Sequence, residues 1–154
     1  MTSEDSARVL APPPLIYGAF FALGYLTRGL LSRELVAPPY NWTFGFVLVL
    51  IGMVLVLLPA STLLRAKTAL SPYHATSRIV TTGLFSVSRN PIYLGLTAGY
   101  LGVAIAFNLT VAVLLTPLVL LAMYYGVIRR EEAYLERKFG DEYRQYKARV
   151  RRWL

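Results

Sequence analysis

Ser88-Arg89-Asn90-Pro91-Ile92-Tyr93-Leu94-Gly95 sets a cation, an amide and a proline directly against the start of a membrane-length apolar segment. Asparagine suits a helix N-cap and proline the first helical position, so the stretch reads as the beginning of a helix, with Arg89 at a membrane edge. That reading leaves Tyr93 and Gly95, one turn inside, and the polar, turn-rich run from Thr76 to Gly83 without a role. A ligand site at the junction is the competing reading. A second polar cluster, Arg129-Arg130-Glu131-Glu132, stands where the next apolar segment ends. A helical hairpin between the two clusters brings both to one membrane face.

The composition sets the class. Hydrophobic residues make up 56% of the 154 and the charges are crowded into a few segments, which describes an integral membrane protein of one domain rather than a soluble surface. Each span needs about 20 apolar residues. Segments at about 15–31, 42–64, 92–107 and 109–128 meet or approach that length, leaving a tail over 129–154. The expected fold is all-α: a polytopic membrane helical bundle of about four transmembrane helices plus a C-terminal amphipathic helix. Pro12-Pro13-Pro14 and Pro38-Pro39 border the first span. Only Asn108 interrupts the apolar run between the third and fourth, which predicts a tight hairpin. Glu4 and Asp5 lack the basic start of a signal peptide, so the first span is expected to stay as an anchor.

Lysine and arginine set the orientation. Arg65, Lys67, Arg78 and Arg89 lie between the second and third spans, and the tail from Arg129 onwards is strongly basic, whereas the first loop holds Arg33 balanced by Glu34. Both termini are therefore expected inside; the short, loop-poor chain suggests a plasma membrane of prokaryotic type, and an endoplasmic reticulum membrane would look the same. Topology and attraction to anionic headgroups account for the net charge of +8, so no nucleic-acid partner is inferred. In the tail, Tyr143, Tyr146, Val150 and Trp153 recur at spacings of three and four after Gly140. The expectation is a helix lying on the inner membrane surface, aromatics at headgroup level. Glu131 and Glu132 do not fit such a contact with anionic lipid, and a ligand role competes with simple charge placement at a helix start.

The remaining conspicuous residues have plainer readings. With no cysteine, thiol chemistry is excluded, and a lone histidine, His74 after Ser71-Pro72-Tyr73, makes no zinc site of the usual ligand set; it reads as a loop residue. Arg28 is expected to snorkel at the outer end of the first span. Pro59 and Pro117 predict kinks within the second and fourth. No acidic residue lies in a span, which argues against a small ion-coupled transporter, the alternative class.

Two ordered halves of the chain resemble the isoprenylcysteine carboxyl methyltransferase family. The first is Ser77-Arg78-Ile79-Val80, Thr81-Thr82-Gly83-Leu84-Phe85 and Arg89-Asn90-Pro91-Ile92-Tyr93-Leu94-Gly95. The second is Glu131-Glu132-Ala133-Tyr134-Leu135, continuing through Phe139-Gly140-Asp141-Glu142-Tyr143 to Tyr146. A hairpin of suitable length separates them. The resemblance implies a membrane enzyme that uses S-adenosylmethionine, with Ser77, Arg78, Ile79, Val80, Phe85, Asn90, Pro91, Ile92, Tyr93 and Glu131 contacting the cofactor. Its implied partners are membrane lipid and a lipophilic methyl acceptor; the oligomeric state is not specified.

Three positions depart from the eukaryotic pattern. Asn90 stands for histidine, Phe85 for tyrosine, and Val127, four residues before Glu131, for the arginine that binds the substrate carboxylate. Arg129 and Arg130 are the candidate catalytic replacements, although on a helix they face other directions than residue 127. A phospholipid N-methyltransferase, with the same cofactor and another nucleophile, remains an alternative.

Overall fold

The computed structural model describes residues 7–31, 33–70, 73 and 75–154; Glu4, Asp5, Ser71, Pro72 and His74 lie outside the described residues. The described residues form an all-helical protein: α1 (Pro13–Leu26), α2 (Tyr40–Arg65), α3 (Pro91–Ala106), α4 (Thr110–Leu114), α5 (Thr116–Met123), α6 (Arg129–Phe139) and α7 (Asp141–Arg149). Short 3-10 turns at Arg28–Leu30 and Gly83–Ser86 and a π-helical turn at Tyr124–Ile128 complete it. The π turn joins α5 to α6 without a loop, so the fourth apolar segment and the start of the tail form one helical run.

Among the described residues, α2 is the one helix long and apolar enough to cross a membrane by itself. Helices α1 and α3 are apolar but shorter, at 14 and 16 residues. The first segment departs most from expectation, because its α-helix stops at Leu26. Arg28 follows in a 3-10 turn, exposed, its Nη1 donating to the Tyr25 carbonyl at 2.8 Å and its guanidinium 4.1 Å from the Tyr25 ring centre. Helix α2 runs unbroken through Pro59, whose ring is buried. Pro117 instead follows a turn at Leu115 and sits in the first turn of α5.

Helices α2 and α3 pack antiparallel, backbone against backbone. A Cβ on Gly52 would lie 2.7 Å from the Gly95 carbonyl oxygen and 2.8 Å from the Gly99 nitrogen; one on Gly102 would meet the Gly45 carbonyl at 2.7 Å. Such close approach of two backbones gives extensive van der Waals contact along the seam. Polar ties close one end of the bundle. Asn41 donates to the Ala106 carbonyl at 2.7 Å, and Thr110 Oγ1 to the Arg33 carbonyl at 2.6 Å. Asn108, the expected hairpin break, adopts a left-handed backbone (φ 49°), and its side-chain amide bonds the backbone of Leu35 and Val36.

The tail corrects the expectation of an interfacial helix. Tyr143, Tyr146 and Val150 are buried and pack on Ile79, Leu135 and Phe139, while Trp153 packs against the main core. The helix ends at Arg149, so Val150 and Trp153 belong to an extended terminal segment. The reason is the chain reversal at Gly140 (φ 54°), a left-handed conformation that suits glycine and turns α7 back along α6. The aromatic face is thereby spent on protein instead of lipid.

Gly99 offers an internal control for the helix seam, since a Cβ there would meet nothing within 4 Å. Gly52→Val is expected to lower stability relative to Gly99→Val by about 1–3 kcal/mol, read as a lower thermal midpoint in detergent; equal midpoints would mean that the glycine seam does not carry the packing.

Candidate functional site

At the end of the bundle opposite Asn108, the start of α3, the first turns of α6, the inner face of α7 and the segment 76–80 enclose a cavity of about 160 Å³. Of the expected cofactor contacts, Arg78, Ile79, Val80, Phe85, Asn90, Pro91, Ile92, Tyr93 and Glu131 line it. Ser77 does not; its hydroxyl donates to the Lys67 carbonyl at 3.0 Å and its N–H to Thr68 Oγ1 at 3.0 Å, so it fastens the 76–80 segment to the end of α2. The cavity is smaller than the roughly 300–1,000 Å³ common for small-molecule sites. A nucleoside-sized ligand therefore needs the walls to separate or part of itself to project through the mouth.

The polar centre is Tyr93 and Glu131. Tyr93 lies in the first turn of α3 and donates its phenol to Glu131 Oε1 at 2.8 Å. Burial, the largest effect, lifts the Glu131 carboxyl to about pKa 7; the Tyr93 hydrogen bond pulls the other way, and the neighbouring Glu132 charge adds to the rise. The site can thus offer a neutral acid or a carboxylate near neutral pH, in otherwise apolar and aromatic surroundings. A group bearing positive charge is the natural match for the ionised form.

Glu132, one residue on, faces a different neighbourhood. Arg152 grips it bidentately, Nε to Oε1 and Nη2 to Oε2, both at 2.9 Å, and Arg89 Nη1 lies 3.2 Å from Oε1. The terminal segment is stitched on beside it: Arg89 N–H donates to the Arg151 carbonyl at 3.0 Å, and Asn90 Nδ2 to the Arg152 carbonyl at 3.0 Å. Asn90 therefore stands at the N-cap position without capping α3 through its side chain; its amide holds the terminal segment instead. Tyr146 reaches across to donate to the Phe85 carbonyl at 2.7 Å, and Tyr134 accepts from the Thr76 N–H at 3.1 Å. In Tyr143, burial is the main cause of a phenol pushed up to about 12, with Glu132 adding to the rise and Arg89 opposing it.

The two candidate catalytic arginines are not brought to the cavity. Arg129 and Arg130 are exposed, and Arg130 Nη1 donates to the Arg8 carbonyl at 3.1 Å, tying down the segment ahead of α1. Val127 is fully buried in the core. Next to it in the π turn, the Gly126 carbonyl accepts from the Leu10 N–H at 2.9 Å, which ties the N-terminal segment to this helix. Arg89, Glu132, Tyr143 and Tyr146 line the cavity too, although none is among the expected cofactor contacts. The last two were visible as an aromatic stripe, but only the turn at Gly140 shows which way the stripe faces.

A family model described as phospholipid methyltransferase matches residues 40–142. The chain is 35% identical over 98 residues to the protein-S-isoprenylcysteine O-methyltransferase of Schizosaccharomyces pombe, covering 60% of this chain and 42% of that one. It is 33% identical over 127 residues to the phosphatidylethanolamine N-methyltransferase of Homo sapiens, covering 77% and 64%. A stretch of 27 residues, 18% of this chain and 43% of the other, is 78% identical to an uncharacterized protein of Haemophilus influenzae. The chain thus spans about two fifths of the length of the Schizosaccharomyces pombe and Haemophilus influenzae proteins. No solved structure matches. The resemblance carried by residues 77–146 agrees with these matches.

Removing Glu132 leaves two cations without their shared partner, whereas Arg144 and Asp141 form an exposed pair. Glu132→Ala is expected to cost about 3–5 kcal/mol against less than about 1 kcal/mol for Asp141→Ala. Chemical unfolding in detergent measures both, and similar costs would show that the triad does not hold the tail.

Proposed function

The chain belongs to the phospholipid methyltransferase family, and from that premise we propose that it is an integral membrane methyltransferase moving a methyl group from S-adenosylmethionine to a lipophilic acceptor. The observation that carries the reading is the Tyr93–Glu131 pair, a buried carboxyl held by a phenol at 2.8 Å within an otherwise apolar and aromatic cavity. A ligand carrying an ammonium and a sulfonium fits that donor set, and S-adenosylmethionine, when bound, supplies a methyl group already activated by the sulfonium.

The chain's own residues would then bind and align. Glu131 offsets positive charge, Tyr93 fixes the Glu131 carboxylate, and Ile79, Val80, Phe85, Asn90, Pro91 and Ile92 form the wall that excludes water; Arg78 stands on the rim. Displacement at a methyl carbon depends on alignment of nucleophile, carbon and leaving sulfur more than on acid or base groups, so a site without a catalytic triad suffices. We place α1, α2, α3 and the α4-to-π run across the membrane, with both termini and the cavity on the cytoplasmic side of a prokaryotic plasma membrane. In support, Leu63 near the end of α2, the start of α3 and the start of α6 all meet at the cavity.

Two acceptor classes follow from the relatives, an isoprenylcysteine-like carboxylate and a phospholipid amine. A carboxylate at Glu131, held by Tyr93 in the cavity, attracts an acceptor that carries an ammonium and repels one that carries a carboxylate, which favours the amine. Val127, buried where the carboxylate-binding arginine of the eukaryotic pattern would stand, points the same way.

Calorimetric titration of S-adenosylmethionine into the detergent-purified protein is expected to show saturable binding, weakened about 10- to 100-fold by Glu131→Ala and also weakened by Tyr93→Ala. No binding to folded wild-type protein would overturn the reading. Because a cationic ligand recruits ionised Glu131, binding must expel a proton below pH 7. Affinity should fall by up to about tenfold per pH unit as pH drops from 7 to 5 and lose this dependence in Glu131→Gln.

A further inference from the structure

We propose that Arg89 is the anion anchor of the cavity, taking a carboxylate or phosphate oxygen of the bound ligands. The inference rests on the methyltransferase reading above and adds to it the site for negative charge. Its first support is a charge surplus. The Arg89 side chain is 8% exposed and Glu132 10% exposed, and that one carboxylate is shared between two guanidiniums. Arg152 holds both of its oxygens in good hydrogen-bond geometry. Arg89 is left with an ion-pair contact at 3.2 Å that is not a hydrogen bond; its Nε and Nη1 are sealed from water without a hydrogen-bond partner.

A guanidinium has five N–H groups, and leaving them unpaired in a buried place is costly. Buried arginines are kept where a planar anion completes them. The second support is position. Arg89 lines the cavity directly ahead of the α3 N-terminus, whose Asn90, Pro91, Ile92 and Tyr93 line it too. The partial positive charge of a 16-residue helix adds to that of the guanidinium. Of the groups that face Arg89 from other elements among the described residues, Glu132 is shared with Arg152, which holds both of its oxygens, Glu131 is committed to Tyr93, and Tyr143 offers a phenol that burial keeps neutral, so one carboxylate balances two guanidiniums. The cavity therefore has a pole for a cation at Glu131 and a pole for an anion at Arg89, the pattern that an amino-acid moiety presents.

Two sources would bring the same chemistry: the α-carboxylate of S-adenosylmethionine, or an anionic oxygen of the acceptor. Arg89→Gln and Arg89→Lys, checked for helical content and monodispersity in detergent, separate them. The donors are S-adenosylmethionine and its decarboxylated analogue; the acceptors are S-farnesylcysteine and phosphatidylethanolamine in mixed micelles. If the cofactor supplies the anion, Arg89→Gln weakens S-adenosylmethionine about 10- to 100-fold and leaves the decarboxylated analogue nearly unchanged, with Arg89→Lys between. If the acceptor supplies it, both donors bind as to wild type and KM for an acceptor rises by a similar factor. Equal weakening of both donors, or no change in any of these constants, overturns the proposal. Wild-type protein that binds neither donor overturns the methyltransferase reading itself.

Discussion

Glu132 is the carboxylate on which the walls of the cavity converge. It sits in the first turn of α6, yet its partners come from the junction ahead of α3 and from the last residues of the chain. A buried ion pair is a weak source of net stability, because desolvation consumes most of the attraction. What it supplies is placement. With Arg152 seated on Glu132, the carbonyls of residues 151 and 152 can accept from Arg89 and Asn90, and α7 is held with its tyrosines inward. One carboxylate thus fixes the position of three separate segments around a single void.

The neighbouring glutamates show how one helical turn divides structural from ligand chemistry. Both lie in an acidic first turn, where charge placement against the helix dipole would explain either. Glu132 meets two guanidiniums and is spent on the scaffold. Glu131 meets a single phenol in apolar surroundings, and burial without a cation raises its pKa into the neutral range. Its proton is consequently loose at the pH where a cationic ligand would arrive, and the energetic cost of ionising it is offset only when such a ligand is present.

Much of the site could be read from residue order. The octapeptide from Ser88 predicted a helix starting at Pro91, and the second polar cluster predicted a partner junction; Tyr93 and Glu131 do meet. Arg129 and Arg130 lie away from the cavity, as the helical offset from residue 127 already suggested. Ser77 lies outside the cavity for a local reason: short polar residues bond nearby backbone readily, and Thr68 and Lys67 are close enough to hold it. The tail was read correctly as amphipathic up to Arg149 and wrongly as lipid-facing, since an aromatic stripe has the same period whichever apolar medium it meets.

Residue order was enough for the helical class, the length of α2, the hairpin about Asn108 and the chemical types gathered at two junctions, because these depend on local patterning. Tertiary structure alone decided which carboxylate is bound up in ion pairs and which is left to titrate, which arginines face the cavity, and that the C-terminal segment closes on Arg89 and Asn90. Those outcomes turn on contacts between residues as far apart as Asn90 and Arg152. No periodicity encodes them; the left-handed turn at Gly140 and the glycine seam of α2 and α3 set the angles from which they follow.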